Sequence, residues 1–203
     1  SSVRVAPSIN IKLYIMLALV LFFVIGCCGA VLLGRLSDIV DYLLYVDKKT
    51  GLPNREKLNI YIGEMAGKVL PEAFTCFTLN LDNLSELTKR FGYTVGDGVL
   101  KDFAGLVQLM GDTEGMRGYN GVGRFVVFFE ECSSKKAAAM IRILDNQVEE
   151  YNSLNPEYPI RYTAAWATTE ETDTYEIREL LRLSQKKWKQ MEKEKKDKTE
   201  EET

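Results

Sequence analysis

The chain has 203 residues, of which 46% are hydrophobic and 27% charged, and its formal net charge is -3. This size and composition predict one ordinary domain plus an extra segment, and they exclude a disordered chain, a collagen-like chain and a multi-domain enzyme. The sequence has no histidine, which excludes a Ser-His-Asp triad, a His-ligated zinc or haem and a histidine general base. The slightly acidic charge argues against a nucleic acid partner.

An apolar segment lies near the N-terminus. Residues 13–34 read LYIMLALVLFFVIGCCGAVLLG and carry no charge. A membrane core about 30 Å thick needs roughly 20 residues of helix, so this run predicts one spanning helix after a flank at residues 1–12. Lys12 and Arg35 bracket it and can reach the two interfaces. A buried core helix is one alternative. A lipoprotein signal ending at Cys27 is another, although the apolar run continues past that residue.

Residues 35–46 predict a helical connector. Leu36, Ile39 and Leu43 recur at helical spacing, which gives the connector an apolar stripe. Such a stripe is typical of pairing with a second chain in a coiled coil, and equally of packing on the following domain. A homodimer or a heterodimer with another domain is therefore an open expectation. The basic residues near the span slightly favour a cell-membrane protein whose C-terminal domain is cytoplasmic.

The following residues alternate between helix and strand patterns. Helices are predicted at 55–68, 84–91, 95–110, 133–154 and 174–193, and strands at 74–81, 121–129 and 159–168. This order predicts an α/β or α+β sandwich with a central sheet. The strand at 121–129 is expected beside the strand at 74–81. Residues 194–203 predict a charged tail without core-forming content.

Several motifs in this part of the chain carry a resemblance to one family. The segment DKKTGLPNR at 47–55 resembles the DxLTGLPNR opening of GGDEF domains, the diguanylate cyclase family. LNLD at 79–82 and FGYTVGDGVL at 91–100 resemble the family block LDIDHFKxINDxxGHxxGDxxL. NGVGRFVV at 120–127 falls where the family has YGGDEFVV. The resemblance covers residues 47–193, and it implies a nucleotide-cyclase-like central sheet flanked by helices.

The resemblance also implies a metal site that this sequence has altered. Members of the family condense two GTP molecules into cyclic di-GMP with a divalent metal, whose hard ligands are carboxylates. The two carboxylate positions correspond here to Asn80 and Gly123, while the ligating carbonyl corresponds to Leu81. No cofactor or metal is therefore expected, and Mg²⁺ only if residual GTP binding exists. Asp82 is either a residual metal ligand or a cap of the following helix.

The nucleotide-binding positions implied by the resemblance are also changed. Thr88 occupies the position of the asparagine that binds guanine in the family, and Tyr93 occupies that of the histidine in the GH pair of the motif. The aspartate of the GD pair is kept as Asp97. Asp97 is interpreted either as a base-reading group or as a helix cap. Arg124 replaces a glutamate, and it either contacts phosphate or is solvated. Val122 replaces a glycine at which the backbone must approach phosphates closely.

The inhibitory product site of the family is an RxxD motif, and Asp112 and Gly115 occupy its charged positions here. Together these changes predict a membrane-anchored, degenerate GGDEF domain without cyclase activity that acts as a regulatory or interaction module. A weak or heterodimer-dependent cyclase and a non-catalytic receptor for GTP or a dinucleotide remain the alternatives.

Overall fold

The computed structural model describes residues 11–111 and 115–201. It divides into two compact units, Ser1–Leu44 and Tyr45–Thr203. Most of the first unit is helix α1, Ile11–Tyr45, whose 35 residues extend about 52 Å. Its most apolar 18-residue window has a mean hydropathy of 2.9, and large side chains such as Phe22 are exposed along it. Within the described residues α1 is the one helix long and apolar enough to cross a membrane.

The second unit is built on a four-stranded antiparallel sheet. Its helices are α2 (Arg55–Met65), α3 (Leu84–Phe91), α4 (Tyr93–Gln108), α5 (Ser134–Leu154), α6 (Thr169–Thr172) and α7 (Ile177–Glu201). Its strands are β1 (Thr75–Leu81), β2 (Gly115–Tyr119), β3 (Arg124–Phe129) and β4 (Tyr162–Thr168), in the order β2-β3-β1-β4. The predicted central sheet flanked by helices is confirmed, as is the pairing of the strand at 74–81 with the strand at 121–129.

The two faces of the sheet form separate parts of the core. Because side chains alternate along a strand, residues two apart share a face. Phe77, Leu79 and Phe125 point to one face, where they pack with residues of α4 and α5 such as Phe103 and Leu144. The opposite face carries the alternate strand residues and packs against α2 and α7, and its apolar cluster includes Cys76, Val126, Phe128, Leu58, Ile177 and Leu180.

The structure differs from the predicted elements at two places that bear on function. Strand β2 was not predicted, because its sequence GMRGY has two glycines and no β-branched residue. Pairing with β3 is what holds it extended. Helix α7 continues to Glu201, so most of residues 194–203 are helical where the sequence predicts a charged tail. Lys and Glu favour helix formation, and the extension brings Lys195 back to the sheet.

Candidate functional site

Three side chains from neighbouring strands lie in one row across the sheet. Asn80 of β1 is in register with Arg124 of β3 and with Thr163 of β4. Directly opposite residues of antiparallel strands project to the same face, which here is the face that α7 covers. The row therefore places Asn80, the first implied metal position, beside Arg124, which stands where the resemblance implies a glutamate.

The structure brings the implied metal positions together. The Leu81 amide donates to the Gly123 carbonyl at 2.8 Å, and a Cβ built on Gly123 would lie 3.1 Å from the Leu81 carbonyl oxygen. The donors available there are an amide at Asn80 and a backbone carbonyl, since Gly123 has no side chain. This set does not fit a divalent cation of the hard type, which prefers carboxylate oxygens. The described residues hold no group of three or more His, Cys, Asp or Glu side chains placed to bind a metal.

Asp82 is engaged within the protein. Its Oδ1 accepts from Asn80 Nδ2 at 2.9 Å, and its Oδ2 accepts from the Thr163 hydroxyl at 2.6 Å. The N-cap of α3 is Asn83, so the interpretation of Asp82 as the helix cap is wrong. The Lys195 ammonium lies 3.5 Å from Asp82 Oδ2 and puts a positive charge beside this carboxylate. A metal cation placed there is therefore repelled by Lys195.

Lys195 is a site residue that sequence reasoning missed. Besides Asp82 it contacts β4 directly, donating to the Thr163 hydroxyl at 2.7 Å and to the Tyr162 carbonyl at 3.0 Å. These contacts depend on α7 continuing past the predicted end of the helix. One lysine in a run of charged residues gives no local signal that it folds back to a sheet, and nothing in the pattern singled it out.

The implied base-reading positions are also engaged in contacts within the chain. The Thr88 hydroxyl donates to the Leu84 carbonyl of its own helix at 2.8 Å. Asp97 lies within α4, so it does not cap a helix that starts near residue 99. Its Oδ1 is 2.8 Å from Lys49 Nζ, and this hydrogen bond raises the pKa of Lys49. Tyr93, in the first turn of α4, is 77% exposed. A guanine base at this position would have to displace Lys49 from Asp97.

The hairpin between β2 and β3 has an unusual backbone. Gly121, Val122 and Gly123 have φ angles of 83°, 53° and 74°. The left-handed region is readily adopted by glycine but is strained for a β-branched residue. Val122 adopts it with 80% of its surface exposed. A branched, exposed side chain thus stands at the position where the resemblance implies a glycine.

We expect Val122→Gly to raise the free energy of unfolding by about 0.5–1 kcal/mol, because relief of the left-handed strain exceeds the added entropy of the unfolded chain. Val69, which is 83% exposed and has no positive φ, provides the matched control. Val69→Gly should lower the stability by a similar amount. Urea unfolding followed by tryptophan fluorescence measures both changes, and equal effects of the two substitutions would contradict the assigned strain.

A cavity of this unit lies where β1 ends and β4 begins. It has a volume of about 790 Å³ and is lined by residues that include Asn80, Asp82, Glu86, Arg161 and Lys195. Its two basic side chains are paired, since Arg161 forms an ion pair with Glu86 and Lys195 with Asp82. The cavity therefore offers a polar surface beside Asn80 in which each basic group already has a carboxylate partner.

Tyr162 begins β4 beside the same cavity. Burial, and to a smaller extent a hydrogen bond to Asp145, raises the pKa of its phenol well above the usual range. This phenol therefore stays protonated at neutral pH. Of the two positions of the inhibitory motif, Gly115 begins β2 and Asp112 lies outside the described residues.

A family model described as "Diguanylate cyclase, GGDEF domain" matches residues 44–198. No curated protein matches the sequence. Among solved structures, a diguanylate cyclase/phosphodiesterase from Caldicellulosiruptor saccharolyticus superposes with a TM-score of 0.62 at 18% identity, and the match covers 76% of this chain and 91% of that one.

Two other structures are similar. The coiled coil and GGDEF domain of DgcB from Caulobacter crescentus, solved with c-di-GMP, gives a TM-score of 0.64 at 14% identity and covers 83% of this chain and 91% of that one. The active GGEEF domain of a diguanylate cyclase from Vibrio cholerae gives 0.55 at 19% identity, with 61% and 78% covered. At these identities the structural likeness establishes the fold, while the family model covers most of the chain.

Proposed function

Since the chain belongs to the GGDEF-domain family of diguanylate cyclases, we propose that it is a membrane-anchored regulatory or interaction module of cyclic di-GMP signalling without cyclase activity of its own. The observation that carries the proposal is the donor set at Asn80, Leu81 and Gly123. These positions lie together but supply no carboxylate. Phosphoryl transfer depends largely on charge stabilisation by metal ions, so this loss removes the main source of catalysis.

The contacts around this site support the same proposal. Asp82 is held by Asn80, Thr163 and Lys195. Asp97 is paired with Lys49. The groups that survive from the family pattern are therefore engaged by other side chains of this chain. The domain keeps a shape that a partner protein can recognise while its polar positions serve internal contacts.

A second candidate is a non-catalytic receptor for GTP or a dinucleotide. The cavity of about 790 Å³ beside Asn80 favours it, because small-molecule sites commonly have volumes of about 300–1,000 Å³. A relative solved with c-di-GMP shows that a GGDEF domain binds that dinucleotide. Binding without turnover distinguishes the receptor from the pure interaction module. A weak or heterodimer-dependent cyclase is the outcome that turnover would indicate.

The test is a product assay and a binding measurement on the same preparation. The full chain in lipid nanodiscs is incubated with GTP and Mg²⁺, and cyclic di-GMP is quantified by mass spectrometry. We expect no product above that of a lipid-only control. Titration calorimetry with GTP and with cyclic di-GMP, each with and without Mg²⁺, then separates the receptor from the interaction module. Sustained turnover by the unmodified chain, free of contaminating cyclase, would falsify the proposal.

The membrane part of the proposal rests on α1. We expect the full chain to stay in the pellet when membranes of expressing cells are washed with alkaline carbonate, because about 20 apolar residues of helix span the hydrocarbon core. A chain that begins at Tyr45, where the second compact unit starts, is the control and should appear in the supernatant. Release of the full chain by carbonate would show that α1 does not span the membrane.

A further inference from the structure

A small polar cavity lies between the sheet and α7, next to the implied metal positions but separate from them. Its volume is about 100 Å³. Thr78 and Val126 of the sheet form part of its wall, and its other lining side chains are polar or basic: Asn120, Arg124, Gln185, Trp188 and Lys189. Asn80, Leu81 and Gly123 do not line it. The cavity is therefore distinct from the positions that carry the proposed loss of cyclase activity.

The spacing of the lining residues explains why their side chains converge. Gln185, Trp188 and Lys189 stand at positions i, i+3 and i+4 of α7, so they share one face of that helix. Arg124 and Val126 are two residues apart on β3 and share the face that α7 covers. The helix and the strand thus direct basic and amide groups into the same small space.

Trp188 supplies the observation that points to a ligand. Its side chain is buried, with 9% of the residue exposed, and its indole Nε1–H has no hydrogen-bond partner among the described residues. Burying an N–H donor without an acceptor is unfavourable. Trp188 also lines the cavity, so an acceptor bound there would lie beside the residue that carries this donor.

The charges of the cavity specify the kind of acceptor. Arg124 and Lys189 are both exposed, and the described residues that line the cavity include no carboxylate. In the described part of the chain no salt bridge is formed by either residue. Two cations, an indole N–H and two side-chain amides together favour an anion with several acceptor oxygens. A volume of about 100 Å³ has room for one tetrahedral oxyanion and lies well below the roughly 300–1,000 Å³ of sites that enclose a whole small molecule.

We propose that this cavity binds a single phosphate group, held by the Arg124 guanidinium, the Lys189 ammonium and the Trp188 indole N–H. The phosphate is either the free inorganic ion or the terminal phosphate of a nucleotide whose remaining part lies outside the cavity. Bound phosphate links β3 to α7 and supplies the acceptor that the buried indole lacks.

The experiment uses the indole signals of the full chain in detergent micelles. The sequence contains two tryptophans, so ¹⁵N-tryptophan labelling gives two indole resonances, and Trp188→Phe assigns them. Inorganic phosphate is titrated at constant ionic strength. We expect a saturable shift of the Trp188 resonance. The Trp166 resonance should stay in place, because that side chain packs against the core on the other face of the sheet.

Variants test which groups hold the phosphate. Arg124→Gln and Lys189→Gln should each weaken phosphate binding about tenfold or more, since each removes one charge-assisted contact. Lys186→Gln is the matched control, because Lys186 is an exposed lysine of the same helix that does not line the cavity, and it should change the affinity less than about twofold. Trp188→Phe should weaken binding in calorimetry while leaving the domain folded.

In a second titration, guanosine monophosphate and GTP replace inorganic phosphate. Comparison of the two titrations identifies the source of the phosphate. Saturation by inorganic phosphate supports the free ion, and saturation by the nucleotides alone supports a terminal phosphate. An equal response to chloride would show that only screening is measured, and this overturns the proposal. A Trp188 resonance unmoved by every phosphate compound, as expected if water alone fills the cavity, overturns it as well.

Discussion

We expect no detectable cyclic di-GMP from variants of this chain in which one missing carboxylate is restored. Asn80→Asp and Gly123→Glu each return a single negative ligand. In both variants the Lys195 ammonium remains near Asp82. The exposed, branched side chain of Val122 also remains in the hairpin. Loss of one charge-stabilising group costs enzymes about 10²–10³-fold in rate. Groups that act as a unit are strongly non-additive, so partial repair should restore little.

A combined variant tests how far the site can be repaired. It carries Asn80→Asp, Val122→Gly, Gly123→Glu and Arg124→Glu, which returns both metal carboxylates and the negative fourth residue of the motif. We expect its activity to stay far below that of an intact GGDEF domain assayed in parallel, because the contacts of Thr88 and Asp97 are unchanged. Mass spectrometry of the product measures all variants. Turnover by either single variant would show that the remaining contacts do not limit catalysis.

The largest effect on stability is expected from Phe125→Ala. Phe125 is fully buried and packs edge-on against Phe103, with 5.3 Å between the ring centroids, and also against Tyr119. Removing such a side chain costs about 3–5 kcal/mol through lost burial and the cavity left behind. This is a large share of the roughly 5–15 kcal/mol that stabilises a typical domain. We therefore expect Phe125→Ala to leave much of the domain unfolded in mild urea.

Two controls accompany this measurement. Phe125→Leu keeps most of the buried volume and should cost much less than the alanine variant. Tyr93→Ala truncates an aromatic side chain that is 77% exposed, and its effect should stay within about 0.5 kcal/mol. Urea unfolding followed by the fluorescence of Trp166 and Trp188 measures each variant. A similar loss in Tyr93→Ala and Phe125→Ala would contradict the assignment of Phe125 to the core.

The sequence by itself determined the helix that is apolar enough to cross a membrane, and also the central sheet. Both follow from local patterns, since a long uncharged run requires helical backbone in lipid and alternation marks a buried strand face. The motif spacing also placed Asn80 and Gly123 together, and the contact between Leu81 and Gly123 confirms this placement. Strand β2 escaped prediction because its residues have little preference for strands and depend on pairing with β3.

Only the tertiary structure decided how the surviving polar groups are used. Residues far apart in the sequence form the contacts of Asp82 with Thr163 and Lys195, and a helix extension brings the lysine there. Lys49 reaches Asp97 from a loop 48 residues earlier. That the Trp188 indole finds no partner in the described part of the chain depends on how α7 packs against the sheet. Such contacts are set by the packing of whole elements, so no local pattern in the sequence encodes them.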